Sequence, residues 1–142
     1  MGPRIIFSNF RTIANHWCSS SRFGFVRQAC HFCRMQNDEC NDRIPHSLLC
    51  PKYLSVFCAV HNLRPMRLDL KMLLTFTCHG EAVSPHVASV ILYYVHLCFG
   101  LFNQCRHGKR FSERLMTASI KKNAISSPAA RRIYIVLRRD GL

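Results

Sequence analysis

The spacing of four potential metal ligands constrains the fold more than any other feature of this chain. They are Cys30, Cys33, His46 and Cys50, in the pattern C-x2-C-x12-H-x3-C, and are named here the CCHC set. Two thiols separated by two residues can bind one ion from a tight turn, and residues four apart project from one face of a helical turn. Three sulfurs and one imidazole nitrogen form a tetrahedral donor set that selects Zn²⁺. The pattern therefore predicts a zinc site.

Other interpretations of these residues stay open at the level of sequence. The chain has nine Cys and eight His in 142 residues, so accidental matches to a metal pattern are expected. The thiols of the CCHC set can instead be small buried apolar groups. Alternative ligands also lie nearby, namely His31, Cys40 and the Cys58-x2-His61 pair.

The first residues give an expectation for the compartment. Ser8, Asn9 and Arg11 interrupt the apolar run that a secretory signal needs. We therefore expect a reducing compartment, nuclear or cytoplasmic, where metal binding or buried thiols are favoured over disulfides. Residues 1–37 are also rich in Arg and free of acid, as mitochondrial presequences are. The alternative is thus a small mitochondrial protein with a cleaved presequence and a membrane-associated helix.

The net charge of +13 is concentrated at the two ends of the chain. Residues 1–37 hold five Arg and no acid, and residues 38–105 hold five basic and five acidic residues. Residues 106–142 hold ten basic and two acidic residues. Basic ends around a neutral middle favour a polyanionic partner, with nucleic acid ahead of anionic lipid. A solvated basic surface is the alternative.

Hydrophobic periodicity predicts a mainly α chain. An apolar fraction of 49% supplies enough material for a core. Pro45 suits the first turn of a helix, whereas Pro51 cannot continue that helix comfortably. The predicted helices cover residues 4–17, 46–50, 52–63, 68–76, 87–102 and 112–120, and residues 131–140 are predicted as a strand or an unpaired tail.

The most apolar segment is residues 87–102. A membrane-spanning helix needs about 20 apolar residues, and this segment is shorter and contains His96. Its large apolar side chains recur at helical spacing, which favours a buried core helix over a membrane span. We therefore expect no membrane span.

Several further motifs follow one another in an order that can be compared with a known family. A segment with Trp17 that ends in Arg22-Phe23 precedes the C-x2-C pair, and the string Asp42-x-Ile44-x-His46-x3-Cys50-Pro51 follows it. An aliphatic and Tyr-rich stretch at residues 90–94 is then followed by Asn103 and by Arg106-His107-Gly108. Over roughly residues 11–110, this order resembles the region after the polymerase domain in reverse transcriptases of non-LTR retrotransposons.

The resemblance implies a zinc-binding, nucleic-acid-binding module of a reverse transcriptase-like protein. It does not imply catalysis, because two-metal nucleotidyl transfer needs paired carboxylates that converge on Mg²⁺. Asp38-Glu39, in a Cys-rich loop, is the one adjacent acidic pair in the sequence. We therefore expect a fragment without enzymatic activity; an open reading frame with no selected function is a further alternative.

The expected organisation is a small zinc-knuckle unit followed by a helical segment, with basic, partly disordered ends. The boundaries are a basic arm with a short amphipathic helix at 1–28, the zinc knuckle at 29–52, the helical segment at 53–122 and a basic tail at 123–142. Phe32 is expected either to stack on an unpaired base or to pack beneath the metal. The expected contacts to RNA or single-stranded DNA, with weak sequence preference, are Arg22, Arg27, Arg34, Arg106, Lys109 and Arg110.

Overall fold

The computed structural model describes residues 9–12, 17, 19, 28–62, 68–106 and 112–125. Of these residues, 63% are helical, in five helices accompanied by one pair of short strands. The prediction of a mainly α chain is therefore confirmed. The ends that were predicted to be partly disordered lie largely outside the described residues, as does the predicted strand or tail at 131–140.

Two consecutive helices carry the second half of the CCHC set. They are α1, Ile44–Leu49, and α2, Pro51–Val60. Each has a proline in its first turn, where the missing N–H has no intrahelical partner to lose. Cys50 separates the two helices with an extended backbone, φ −56° and ψ 123°. Helix α2 ends three residues before the predicted residue 63.

A short helix and a hairpin follow. Helix α3, Leu70–Thr75, begins at Asp69, whose side chain accepts a hydrogen bond of 2.8 Å from the Met72 N–H. Strands β1, Thr77–Cys78, and β2, Glu81–Ala82, then pair antiparallel. The sequence did not predict this hairpin. Positive φ angles at His79 and Gly80, 52° and 80°, allow its two-residue turn.

The longest helix, α4, extends over Pro85–Arg106. It contains the predicted core helix and continues beyond both of its ends. Its Pro85–Cys105 portion is long and apolar enough to cross a membrane by length and composition alone, and half of its apolar stretch is buried inside the protein. The buried positions include Ile91, Tyr94 and Phe102.

The last helix, α5, extends over Glu113–Ile125 and packs against α2. Ser112 caps it, because its hydroxyl accepts from the Leu115 N–H at 3.2 Å. The sequence predicts Leu115, Met116 and Ile120 as core residues of this helix. Met116 and Ile120 are buried, but the prediction is wrong for Leu115, which is 53% exposed. The helix continues five residues past its predicted end and includes the first three residues of the predicted basic tail.

One hydrophobic core joins the predicted units. It includes Cys30 and Phe32 from the predicted zinc knuckle together with side chains of α2, α4 and α5. Trp17 is fully buried in it, with its ring 4.9 Å from that of Phe102 between centroids. Within the predicted helix 4–17, residues 9–12 are helical but Trp17 lies in a bend. Segments 29–52 and 53–122 therefore share a single core.

Candidate metal centre

The CCHC set converges although its members come from three places in the chain. Cys30 directly precedes a turn at residues 31–33, and Cys33 is the last residue of that turn. His46 lies on α1, and Cys50 lies between α1 and α2. One ligand atom from each of the four residues lies within 4.8 Å of every other. Among the residues that the structure describes, this is the group of His, Cys and acidic side chains that can hold a metal ion.

Backbone hydrogen bonds shape the turn that carries the two N-terminal thiols. The Arg34 N–H donates to the Cys30 carbonyl at 3.0 Å, and the Cys30 N–H donates to the Met35 carbonyl at 3.0 Å. Arg34 closes the turn in the left-handed region, with φ 65°. The Phe32 N–H also points at the Cys30 sulfur, at 3.4 Å. A backbone donor directed at a sulfur stabilises the thiolate form that binds metal.

The loop between Cys33 and His46 is closed by amide side chains. The Asn37 side-chain oxygen accepts from the N–H groups of Glu39 and Cys40, at 2.9 and 2.6 Å. The Asn41 side-chain oxygen accepts from the Arg43 N–H at 3.0 Å. These Asx turns replace the backbone pairing that a helix or sheet would provide. The loop therefore returns the chain to α1, where His46 meets the two thiols.

The distances between ligand atoms fit a tetrahedral zinc site. With Zn–S of about 2.3 Å and Zn–N of about 2.0 Å, a tetrahedron separates two sulfurs by about 3.8 Å and a sulfur from a nitrogen by about 3.5 Å. The Cys30 and Cys50 sulfurs are 3.8 Å apart. The Cys33 sulfur and the His46 Nε2 are 3.4 Å apart. Two opposite edges of the tetrahedron are thus already formed.

The electrostatics of the centre favour a thiolate at Cys50. The Cys30 thiol donates to the Cys50 sulfur, and this lowers the pKa of Cys50 against the opposing effect of burial. The same interaction raises the pKa of Cys30. The N–H groups of Lys52 and Tyr53, at the start of α2, lower the pKa of Cys50 further. A negative sulfur at this position is the form that binds a cation.

The alternative ligands lie outside this group. The His31 ring makes an edge contact with Phe102, at 4.9 Å between centroids. The His61 ring packs against Phe57, at 4.6 Å, on the buried side of α2. Neither these histidines nor Cys40 and Cys58 belong to the group that could hold a metal ion among the described residues. Eight described cysteines are free thiols.

The structure gives different information about each predicted nucleic-acid contact. Phe32 is only 3% exposed and its ring lies 5.7 Å from that of Tyr53, so the burial favours packing over base stacking. Arg34 is exposed beside the metal-binding turn. Arg106 is the last residue of α4. The remaining predicted contacts lie outside the described residues, and these are Arg22, Arg27, Lys109 and Arg110.

Two residues of α4 that contact the backbone of α1 were not predicted from the sequence to support the centre. The Tyr94 hydroxyl donates to the Leu48 carbonyl, and the Cys98 thiol donates to the Ser47 carbonyl at 3.3 Å. Tyr94 and Cys98 are one helical turn apart, which marks them as members of one buried face. That periodicity identifies them as core residues but does not reveal which backbone groups they contact.

No protein-family model, curated protein or solved structure matches this chain. The assignment of the centre therefore depends on its own geometry.

Proposed function

We propose that the CCHC set binds one structural Zn²⁺ and that this ion organises a module that binds nucleic acid. The observation that carries the metal assignment is the pair of tetrahedral edges, 3.8 Å between two sulfurs and 3.4 Å between a sulfur and a nitrogen. Thiolate and imidazole ligands in this geometry suit Zn²⁺ better than Mg²⁺ or Ca²⁺, which prefer oxygen.

The role of such an ion is structural. Four protein ligands complete a tetrahedral shell and leave no position for a substrate or an activated water. Cys30 and Cys50 are fully buried, so the ion would lie against the core. We therefore propose that the centre stabilises the fold and that the chain has no polymerase, nuclease or protease activity of its own.

The nucleic-acid partner is supported by charge. The chain carries +13, and its described surface includes exposed basic side chains both beside the centre, at Arg34 and Arg43, and on α5, at Arg114, Lys121 and Lys122. Single-stranded RNA or DNA is the polyanion that we propose for this surface, recognised mainly through phosphates.

Elemental analysis of the purified chain tests the metal assignment. We expect one zinc per wild-type chain and a clear loss of zinc in Cys50→Ser, because a serine hydroxyl is a poor ligand for this ion. Cys78→Ser is the matched control, since Cys78 is exposed on the hairpin and is not in the CCHC set. Full zinc content in Cys50→Ser would contradict the proposed ligands.

A further inference from the structure

Helix α1 has two carbonyl groups that its own continuation cannot satisfy. A longer helix would pair the Ser47 carbonyl with the N–H of residue 51, but that residue is Pro51 and has no N–H. The Leu48 carbonyl would pair with the N–H of residue 52, but the extended backbone of Cys50 ends the helix first. Both groups are in residues with fully buried side chains.

Helix α4 supplies the missing donors. The Cys98 thiol donates to the Ser47 carbonyl, and the Tyr94 hydroxyl donates to the Leu48 carbonyl. Tyr94 is 2% exposed and Cys98 is fully buried, so water does not compete for these contacts. Two side chains one turn apart therefore hold the segment of backbone between His46 and Cys50.

Tyr94 is also connected, through Tyr53, to the turn that carries Cys30 and Cys33. The Tyr53 hydroxyl donates to the Tyr94 carbonyl at 2.8 Å, and the Tyr53 and Tyr94 rings lie 4.9 Å apart. Phe32, between the two N-terminal thiols, packs against Tyr53. The aromatic side chain of Tyr94 thus lies at the junction of α1, α2 and α4.

We propose that Tyr94 is a positioning residue of the metal centre, with Cys98 as a second donor. Its phenol fixes the α1 backbone so that His46 and Cys50 face the two N-terminal thiols. The proposal rests on the zinc-binding function proposed above. Helix α4 thereby takes a direct part in setting the affinity and geometry of the centre, although Tyr94 and Cys98 lie more than 40 residues beyond Cys50 in sequence.

Cobalt(II) titration of the full chain tests this role, because tetrahedral Co²⁺ reports its ligands through its visible absorption bands. We expect Tyr94→Phe to bind Co²⁺ about tenfold more weakly than wild type, with shifted ligand-field bands. Tyr93→Phe is the matched control. Its hydroxyl is buried next to Tyr94 in sequence but makes no hydrogen bond within the described part of the chain. We expect it to keep the wild-type affinity and spectrum.

A second pair of variants separates positioning from simple loss of stability. Cys98→Ser retains a donor for the Ser47 carbonyl and should keep the cobalt spectrum, whereas Cys98→Ala removes the donor and should weaken binding. Ile120→Val, in the core on α5, should lower the melting temperature without changing the spectrum. If Tyr94→Phe does not fold, the two Cys98 variants decide the proposal.

The outcomes distinguish the proposals. A wild-type chain that binds no Co²⁺ would overturn the metal centre and the positioning role together. A wild-type chain that binds Co²⁺, with Tyr94→Phe or Cys98→Ala identical to it in affinity and spectrum, would overturn the positioning role alone.

Discussion

Phe32 shows how a residue that is not itself a candidate ligand can support the turn that carries two of them. It lies between the two N-terminal cysteines, and its ring turns into the core against Tyr53. Its N–H meanwhile points at the Cys30 sulfur. The backbone of Phe32 thus donates to a candidate ligand sulfur, while its side chain anchors the turn in the core.

Phe32→Ala is therefore expected to lower the free energy of unfolding by about 3 to 5 kcal/mol, because truncation of a buried Phe leaves a cavity. Phe10→Ala is the control, since Phe10 is 65% exposed and its removal should change stability by about 0.5 kcal/mol or less. Urea unfolding of the zinc-loaded chain measures both values. Equal stability of the two variants would contradict the packing role and return base stacking as the better interpretation.

At the scale of elements, local and distant interactions differ in how far sequence predicts them. The CCHC set was predictable because each half is local, as a two-residue gap makes a turn and a three-residue gap spans a helical turn. Two hydrogen bonds join Tyr94 and Cys98 to α1. Their partners are separated in sequence by 46 positions for Tyr94 and by 51 positions for Cys98. Such pairings depend on tertiary packing, and periodicity alone gives no partner for them.

The hairpin was missed for a different reason. Its strands have two residues each, too few to show the alternation by which a strand is recognised. His79-Gly80, at the turn, was the one local signal, and Gly at a position with φ 80° is consistent with it. The helices were predicted more accurately because each buries apolar side chains at helical spacing, which is visible in the sequence.

Helix α3 depends on its N-terminal cap. Asp69 accepts from the Met72 N–H, and the six-residue helix places Met72 and Leu73 in the core. We expect Asp69→Ala to lower the free energy of unfolding by about 0.5 to 2 kcal/mol. Asp69→Asn keeps an oxygen acceptor at the same place and should lose less. Indistinguishable urea midpoints for wild type and Asp69→Ala would contradict the cap.

Helix α4 provides a second prediction at this scale. Its buried face contacts the other helices through groups such as the Tyr94 hydroxyl, so we expect it to remain in the core and not to enter a bilayer. Carbonate extraction of membranes from cells that make the chain should release it. If the wild-type chain instead stays in the washed membranes and Val95→Arg is released from them, the result would support the membrane-associated alternative.

At the scale of the whole molecule, the shared core joins the CCHC set to residues from the other described segments of the chain. Trp17, the one Trp in the sequence, is fully buried against Phe99 and Phe102 of α4. The same core also includes Cys30 and Cys50. Loss of metal is therefore expected to disturb more than the 29–52 segment.

Removal of the metal by a strong chelator should thus lower the melting temperature of the whole chain. A ligand at a thousand times its dissociation constant stabilises the folded state by about 4 kcal/mol, and chelation removes that contribution. Circular dichroism and Trp17 fluorescence should change together, and added Zn²⁺ but not Mg²⁺ should restore both signals. Helical circular dichroism and Trp17 emission that persist unchanged after metal loss would contradict this coupling.

The net charge gives the final prediction, which concerns binding to single-stranded nucleic acid. Each phosphate contact adds about 0.7 to the slope of log affinity against log salt, so four to six contacts give a slope of magnitude roughly 3 to 4. Neutralising Lys121 and Lys122, both exposed on α5, should reduce the slope and weaken all sequences equally. Lys52→Gln is the control, because Lys52 already pairs with Glu113 at 3.1 Å. Titrations at several salt concentrations measure these slopes, and no binding at low salt would leave the basic residues as solvated surface.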